Sequence, residues 1–231
     1  MQRTFTNTLE KNDYLKEFEQ SFFLNDLPLT YYSTTHNSAK QVVDVVISIF
    51  VLTFLFSWIY PLLYVFIKME SKGPVFFKQL RHGKDNVPFY CLKFRTMVIN
   101  NEADSRQASK NDPRVTKIGA FLRKTSLDEL PQILNVLRGE MSIVGPRPHP
   151  LMLNERFSKE INNLMCRHLV KPGITGLAQA KGFRGETSTY YDMSARCKLD
   201  LFYVRNWSFW LDTKIIIWTI LALLRNRNNV Y

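Results

Sequence analysis

The sequence predicts a small α/β domain, mostly helical with short strands, held at a membrane by one apolar helix. Three observations lead there. Val45 to Ile67 runs for 23 residues without a charge. Two segments rich in Val, Phe and Tyr follow, split by turn residues, and much of the remaining chain places apolar residues at helical spacing. Composition agrees: of 231 residues 45% are hydrophobic, 13% aromatic and 22% charged, too apolar for a disordered chain, and no fixed-period repeat marks a solenoid.

Residues 1–37 are polar with scattered aromatics and no clear period, which reads as a poorly ordered or helical extension. The uncharged run VVISIFVLTFLFSWIYPLLYVFI would be about 35 Å long as a helix, more than the roughly 30 Å of a bilayer core. It starts too deep in the chain for a signal peptide and lacks the basic flank and cleavage site of one. Lys40, Lys68 and Lys72 flank it as interfacial anchors, with Trp58, Tyr60 and Tyr64 inside the run. Pro61 withholds one helical hydrogen bond, and Ser57, four residues earlier, can offer its hydroxyl to the disturbed backbone, so a kink is expected between them. Hydropathy alone favours a bent single span over a re-entrant hairpin. Residues 1–44 hold four Lys/Arg and six acids, so the basic remainder is expected on the cytoplasmic side.

Beyond the apolar run, SKGPVFFKQLRHG and VPFYCLKFRTM read as a hairpin around HGKDNVP. Residues 100–114 are polar and close on Asp-Pro, hence a surface loop or short exposed helix. Residues 115–139 read as two helices, the second stopped by Gly139. MSIVGPRPHP is a short strand ending in a proline-rich turn, and LMLNERFSKEINNLMCRHLV has helical spacing. KPGITGLAQAKGFRGE reads as a glycine-rich loop. Tyr190 to Leu224 is a long amphipathic to apolar helical stretch, able to lie on a membrane surface.

Lys and Arg total 31 against 20 acids, a net charge of +11, which directs the chain toward polyanions: nucleic acid, phosphorylated substrates or anionic lipid. Cys91, Cys166 and Cys197 are dispersed, and His36, His82, His149 and His168 lack metal-ligand spacing, so neither a disulfide framework nor a structural zinc site is expected. Walker A, Rossmann and G-x-S-x-G patterns are absent. The chemistry concentrates at Ser126-Leu127-Asp128-Glu129-Leu130-Pro131, where two carboxylates precede a helix that Pro131 can open. Ser126 and Glu129 equally fit a capping box, with Asp128 complementing the helix dipole. Lys93, Arg95, Arg114, Arg123, Arg147, Lys171 and Arg184 supply cations, several beside glycine- or proline-rich turns; each also fits a surface ion pair or a lipid contact. Together with a divalent metal they suit phosphoryl transfer through an aspartyl-phosphate.

GPVFFKQLRHG, KFRTM, DPRVTKIGAFLRKTSLDELPQILNVLRGEMSIVGPRP and RHLVKPGITGLAQ follow, in order, the pattern of the bacterial sugar transferase family. The chain resembles these monotopic polyprenyl-phosphate hexose-1-phosphate transferases, or phosphoglycosyl transferases, from about Lys40 to Leu224. The resemblance implies transfer of a sugar-1-phosphate from a UDP-sugar to undecaprenyl phosphate with release of UMP, initiating surface polysaccharide or glycoconjugate assembly. It implies Asp128 as nucleophile and Mg²⁺ ligand, Glu129 as its dyad partner, and Lys93, Arg95, Arg123, Arg147 and Arg184 as substrate or phosphate contacts. Residues 38–70 would form a re-entrant helix broken around Ser57 and Pro61. Residues 71–225 would form the catalytic domain with interfacial helices on the cytoplasmic face of the bacterial inner membrane, and 226–231 a basic tail. Expected partners are the UDP-sugar, undecaprenyl phosphate and membrane lipids, with no nucleic acid and room for a homo-oligomer. The chain departs from the family at Lys40-Gln41, where a Lys-Arg pair is usual, and at Gln179 to Arg184, where the arginine of Q-V-N-G-R falls one place late. The alternative is a basic, membrane-anchored module that binds anionic lipid or nucleic acid without catalysis.

Overall fold

Helix dominates from the first described residue. The computed structural model describes residues 34–99, 109, 112–161, 163–183 and 189–225. Helix α1 (Thr34–Val51) continues through a π-helical turn (Leu52–Phe56) into α2 (Ser57–Glu70). Val51, Phe56 and Ser57 all keep right-handed helical dihedrals, so the expected break is a bulge within a continuous helix. The wider turn lies just ahead of Pro61, where the missing N–H disturbs the hydrogen-bond ladder. Ser57 Oγ donates to the Thr53 carbonyl at 2.5 Å, the backbone contact its position predicts. By length and composition Ser38–Glu70 can cross a membrane.

Both ends of this helix are fastened to the domain that follows. Near the start, Asp44 accepts from Ser142 Oγ at 2.7 Å and from the Ile143 N–H at 3.1 Å, while Lys40 Nζ donates to Asp212 Oδ2 at 2.5 Å. Lys40 is therefore a buried ion-pair partner rather than the interfacial anchor expected of it, because Asp212, Tyr203 and Trp207 enclose it from the C-terminal side. At the far end Glu70 accepts from the Lys117 and Ile118 N–H groups at 2.6 and 2.8 Å. Between these fastenings Phe50, Phe54, Trp58 and Leu62 are all exposed.

The hairpin forms as predicted: β1 (Phe76–His82) and β2 (Pro88–Phe94) pair antiparallel, with Phe77 opposite Lys93. Asp85 and Asn86, residue types that tolerate left-handed backbone, turn the chain. Phe94 packs with Leu63, Ile67, Val75 and Leu122 in a core that joins α2, the hairpin and α3 (Lys117–Thr125). Phe89 and Cys91 pack instead on Val136 and Met141, seating α4 (Gln132–Leu137) on the hairpin. Gly139, at φ +78°, ends α4 in the left-handed region, as its sequence position predicts.

Strand β3 (Ser142–Val144) pairs parallel with β4 (Gly173–Thr175). The predicted glycine-rich loop is thus a strand followed by a short helix, α6 (Leu177–Ala180). The two strands approach so closely that a Cβ on Gly173 would lie 2.0 Å from the Gly145 nitrogen. The helical stretch between them divides into α5 (Leu151–Phe157) and a 3₁₀ segment (Leu164–Leu169). The predicted C-terminal helix is two: α7 (Tyr190–Asn206) and α8 (Phe209–Arg225). Helix α7 buries Met193, Ala195, Leu201 and Tyr203, so it is a core helix and not a surface one; α8 exposes Trp210, Ile217, Ile220, Leu221 and Leu224. The extension 1–33, most of 100–111 and the tail 226–231 lie outside the described residues.

Candidate active site

Asp128 and Glu129 sit in a single 3₁₀ turn, Leu127–Glu129, between the C-terminus of α3 and the start of α4. Ser126 creates that turn by adopting left-handed backbone (φ 59°, ψ 16°), a conformation costing a non-glycine residue about 1 kcal/mol. Its side chain makes no capping bond, so the capping-box alternative is not what this segment does. Thr116 caps α3 instead, accepting from the Gly119 N–H at 3.0 Å. Gly119 lets α3 lie against the Thr96 carbonyl, which a Cβ would meet at 2.0 Å. Two buried groups then set the hairpin against the carboxylates. Asn135 accepts from the Leu92 N–H and donates to the Tyr90 carbonyl, completing the free edge of β2 as a neighbouring strand would. Thr96 Oγ1 accepts from Arg123 Nε at 2.9 Å.

Two carboxylates one residue apart receive opposite treatment. Glu129 accepts from Lys93 Nζ at 2.6 Å and from both terminal nitrogens of Arg147, at 2.5 and 3.2 Å. Burial would raise its pKa, but the charges of Arg147 and Lys93 and their hydrogen bonds outweigh that and hold it well below the usual carboxylate range. Asp128 is as buried, only 8% exposed, yet accepts no hydrogen bond among the described residues; its nearest cation is Lys93, 3.7 Å away. Burial, with the negative charge of Glu129 adding to it, pushes Asp128 up against the opposing pull of Lys93, Arg123 and Arg147. Glu129 is thereby committed to its cations, while Asp128 keeps lone pairs available to a ligand or an electrophile.

The other predicted residues divide. Lys93 and Arg147 meet at Glu129, and Arg123 contributes its charge to Asp128 while its two terminal nitrogens make no hydrogen bond among the described residues. Arg95 donates to the Ser71 and Lys72 carbonyls at 2.7 and 2.8 Å, closing the C-terminus of α2. These bonds tie the hairpin to the end of α2. Arg184 lies outside the described residues. Among those described, no three His, Cys, Asp or Glu side chains form a metal cluster. A divalent ion at Asp128 would have one protein carboxylate and complete its shell with water and substrate phosphate, an arrangement that fits Mg²⁺ and not a dedicated protein cage. Asn135, Thr96, Arg81 and Arg167, which shape the site from behind, were missed by sequence reasoning. One signal for the arginines was present: GPRPHP alternates prolines, which have no N–H to give a strand ladder, so the segment must be held through its carbonyls.

A helix long and apolar enough to cross a membrane, a buried aspartate that accepts no hydrogen bond among the described residues and a surrounding excess of cations define a phosphate-handling class. The model of the bacterial sugar transferase family matches residues 35–226, and the chain belongs to that family. It is 50% identical over 190 residues to a UDP-glucose:undecaprenyl-phosphate glucose-1-phosphate transferase of Klebsiella pneumoniae, covering 82% of this chain and 41% of that protein. An Escherichia coli K12 protein of the same description is 48% identical over 198 residues, 85% of this chain and 42% of the relative. An Aeromonas hydrophila UDP-N-acetylgalactosamine-undecaprenyl-phosphate N-acetylgalactosaminephosphotransferase is 44% identical over 161 residues, 69% of this chain and 38% of the relative. The chain thus spans about two fifths of the length of these relatives.

Proposed function

We propose that this protein transfers a sugar-1-phosphate from a UDP-sugar to undecaprenyl phosphate, releasing UMP, and so begins assembly of a surface polysaccharide or glycoconjugate at the bacterial inner membrane. The observation that carries the proposal is the buried Asp128 carboxylate, which accepts no hydrogen bond among the described residues, beside a Glu129 fully engaged by Lys93 and Arg147. Such a carboxylate is a competent nucleophile once a phosphate enters. An Asp128 oxygen attacks the sugar-bearing phosphorus, and the bond to the UMP oxygen breaks with its electron pair leaving on UMP. An undecaprenyl phosphate oxygen then attacks the same phosphorus and frees the Asp128 carboxylate. Arg123 is placed to bind phosphate oxygens, and Lys93 and Arg147, anchored on Glu129, provide fixed positive potential. Asp128 would hold Mg²⁺, which would supply charge neutralisation on the phosphates.

Membrane attachment fits the same reading. A helix that crosses a bilayer places its ends in opposite aqueous phases, about 30 Å apart. Here Asp44 and Glu70, at the two ends, both bind backbone N–H groups of one domain, which favours entry and exit on a single, cytoplasmic face with the exposed Phe50 to Leu62 stretch in lipid. Relatives named for glucose and for N-acetylgalactosamine make UDP-glucose and UDP-N-acetylgalactosamine the first donors to try. The test is to incubate purified protein with Mg²⁺, undecaprenyl phosphate and each donor and to measure UMP, then to omit the lipid and seek a sugar-phosphate adduct on the Asp128 peptide by mass spectrometry. Release of UDP, or turnover by Asp128→Asn, overturns the proposal; a module that only binds lipid would release neither nucleotide.

A further inference from the structure

Residues 145–150, Gly-Pro-Arg-Pro-His-Pro, carry Arg147 toward Glu129, yet proline at every second position removes the N–H groups a strand ladder would use. Two guanidinium groups from elsewhere hold the segment. Arg167 Nη2 donates to the Arg147 carbonyl and Arg81 Nη1 to the Pro148 carbonyl, both at 2.5 Å. Each has its own support. Arg167 is 1% exposed, with Nη2 at 2.6 Å from Asp200 Oδ2 and Nη1 at 2.6 Å from His149 Nδ1. Arg81 Nη2 donates to Gln79 Oε1 at 2.9 Å within β1.

We propose that Arg167 and Arg81 are positioning residues that grip the consecutive carbonyls of Arg147 and Pro148 and thereby deliver the Arg147 guanidinium to Glu129. An arginine side chain loses considerable rotamer freedom when fixed, and less must be lost on pairing if its main chain already aims it. Gly145 and Gly173 complete the frame from below: the Gly145 N–H donates to the Thr175 carbonyl and the Gly173 N–H to the Pro146 carbonyl, both at 2.9 Å. The main chain on both sides of Arg147 is thus held, and its side chain pairs with a carboxylate across the site.

The proposal rests on the transferase reading only for its second readout. The first is a thermal double-mutant cycle with Arg147→Ala, Glu129→Gln and both together, run in the wild-type protein and again with Arg81→Gln. The cycle is repeated with Arg167→Lys, for which the same loss of coupling is expected; Arg81 is half-buried, so its variant keeps the test available should Arg167→Lys fail to fold. In the wild-type background the two changes should be non-additive by about 5 °C, and with Arg81→Gln the non-additivity should fall to near zero. Unchanged coupling overturns the proposal. The second readout is UMP release: Arg81→Gln should lower kcat about tenfold in the wild type and less than about twofold when Arg147 is already Ala. Equal losses in both backgrounds overturn the proposal, whereas absence of UMP from wild-type protein refutes the transferase reading and leaves the thermal cycle to judge this one.

Discussion

Replacing the two adjacent carboxylates by their amides should move stability in opposite directions. Glu129 accepts three charge-assisted hydrogen bonds, and its side chain is 14% exposed, against 17% for Lys93 and 25% for Arg147. Removing one partner of a buried ion pair costs about 3–5 kcal/mol; with this residual exposure we expect about 3 kcal/mol for Glu129→Gln, which leaves two cations facing one amide. For a domain of this size that lowers Tm by about 6–12 °C. Asp128 accepts no hydrogen bond among the described residues and is held at the expense of desolvation, so Asp128→Asn should leave Tm unchanged or raise it by up to about 4 °C while UMP release disappears. The pH dependence has a defined sign. Asp128 binds its proton more tightly folded than unfolded, so its ionisation removes stability as pH rises from the unfolded value toward the raised folded one; the advantage of Asp128→Asn should grow over that window. Glu129 is depressed, so its contribution is present above the ordinary glutamate pKa and is lost as pH falls toward the folded value, where the deficit of Glu129→Gln should shrink. Thermal unfolding of the three proteins in one detergent across pH 2 to 8 measures both. A thermally silent Glu129→Gln, or an Asp128→Asn as destabilised as Glu129→Gln, would refute this division of roles.

Four further outcomes are expected. In kcat/KM against pH, which reports the free enzyme, Lys93→Gln should carry the acidic limb to higher pH and Glu129→Gln to lower pH, since one removes a cation and the other an anion from beside Asp128; shifts in the same direction count against Asp128 as the titrating group. Lys40→Met should lower Tm by about 4–10 °C, because Asp212 retains Tyr203 and Trp207 but loses its counter-ion. In the same topology, single cysteines at Ser38 and Lys72 should react with an impermeant maleimide from the same membrane side; labelling from opposite sides would establish a true span. Gly173→Ala forces a Cβ to within 2.0 Å of the Gly145 nitrogen, so β3 and β4 must part, with a loss of about 1–3 kcal/mol in chemical unfolding and a lowered kcat as the Arg147 segment shifts.

Much of this was legible locally. Val-, Phe- and Tyr-rich segments with turn residues between them place the β1–β2 hairpin, Gly139 ends the helix after the carboxylates, and an uncharged run of 23 residues marks the membrane helix. Asp128 and Glu129 are visible as a pair because adjacent acids before a proline are a local pattern. Their division of labour is not, since it depends on Lys93 from the hairpin and Arg147 from beyond β3 arriving at the same carboxylate. Lys40, read as a membrane anchor, shows the same limit: a cation's role follows from its partner, and Asp212 is brought to it only by the fold.

The sequence by itself determined the elements, the membrane-seeking helix and the residue types available for phosphate chemistry, because these follow from periodicity, charge and backbone preference over a few neighbours. Tertiary structure decided which carboxylate stays unbonded, which arginines serve the backbone and where the ends of the apolar helix dock. Those outcomes depend on burial and on contacts between residues up to 172 positions apart, where desolvation and pairing set the energy of every charge.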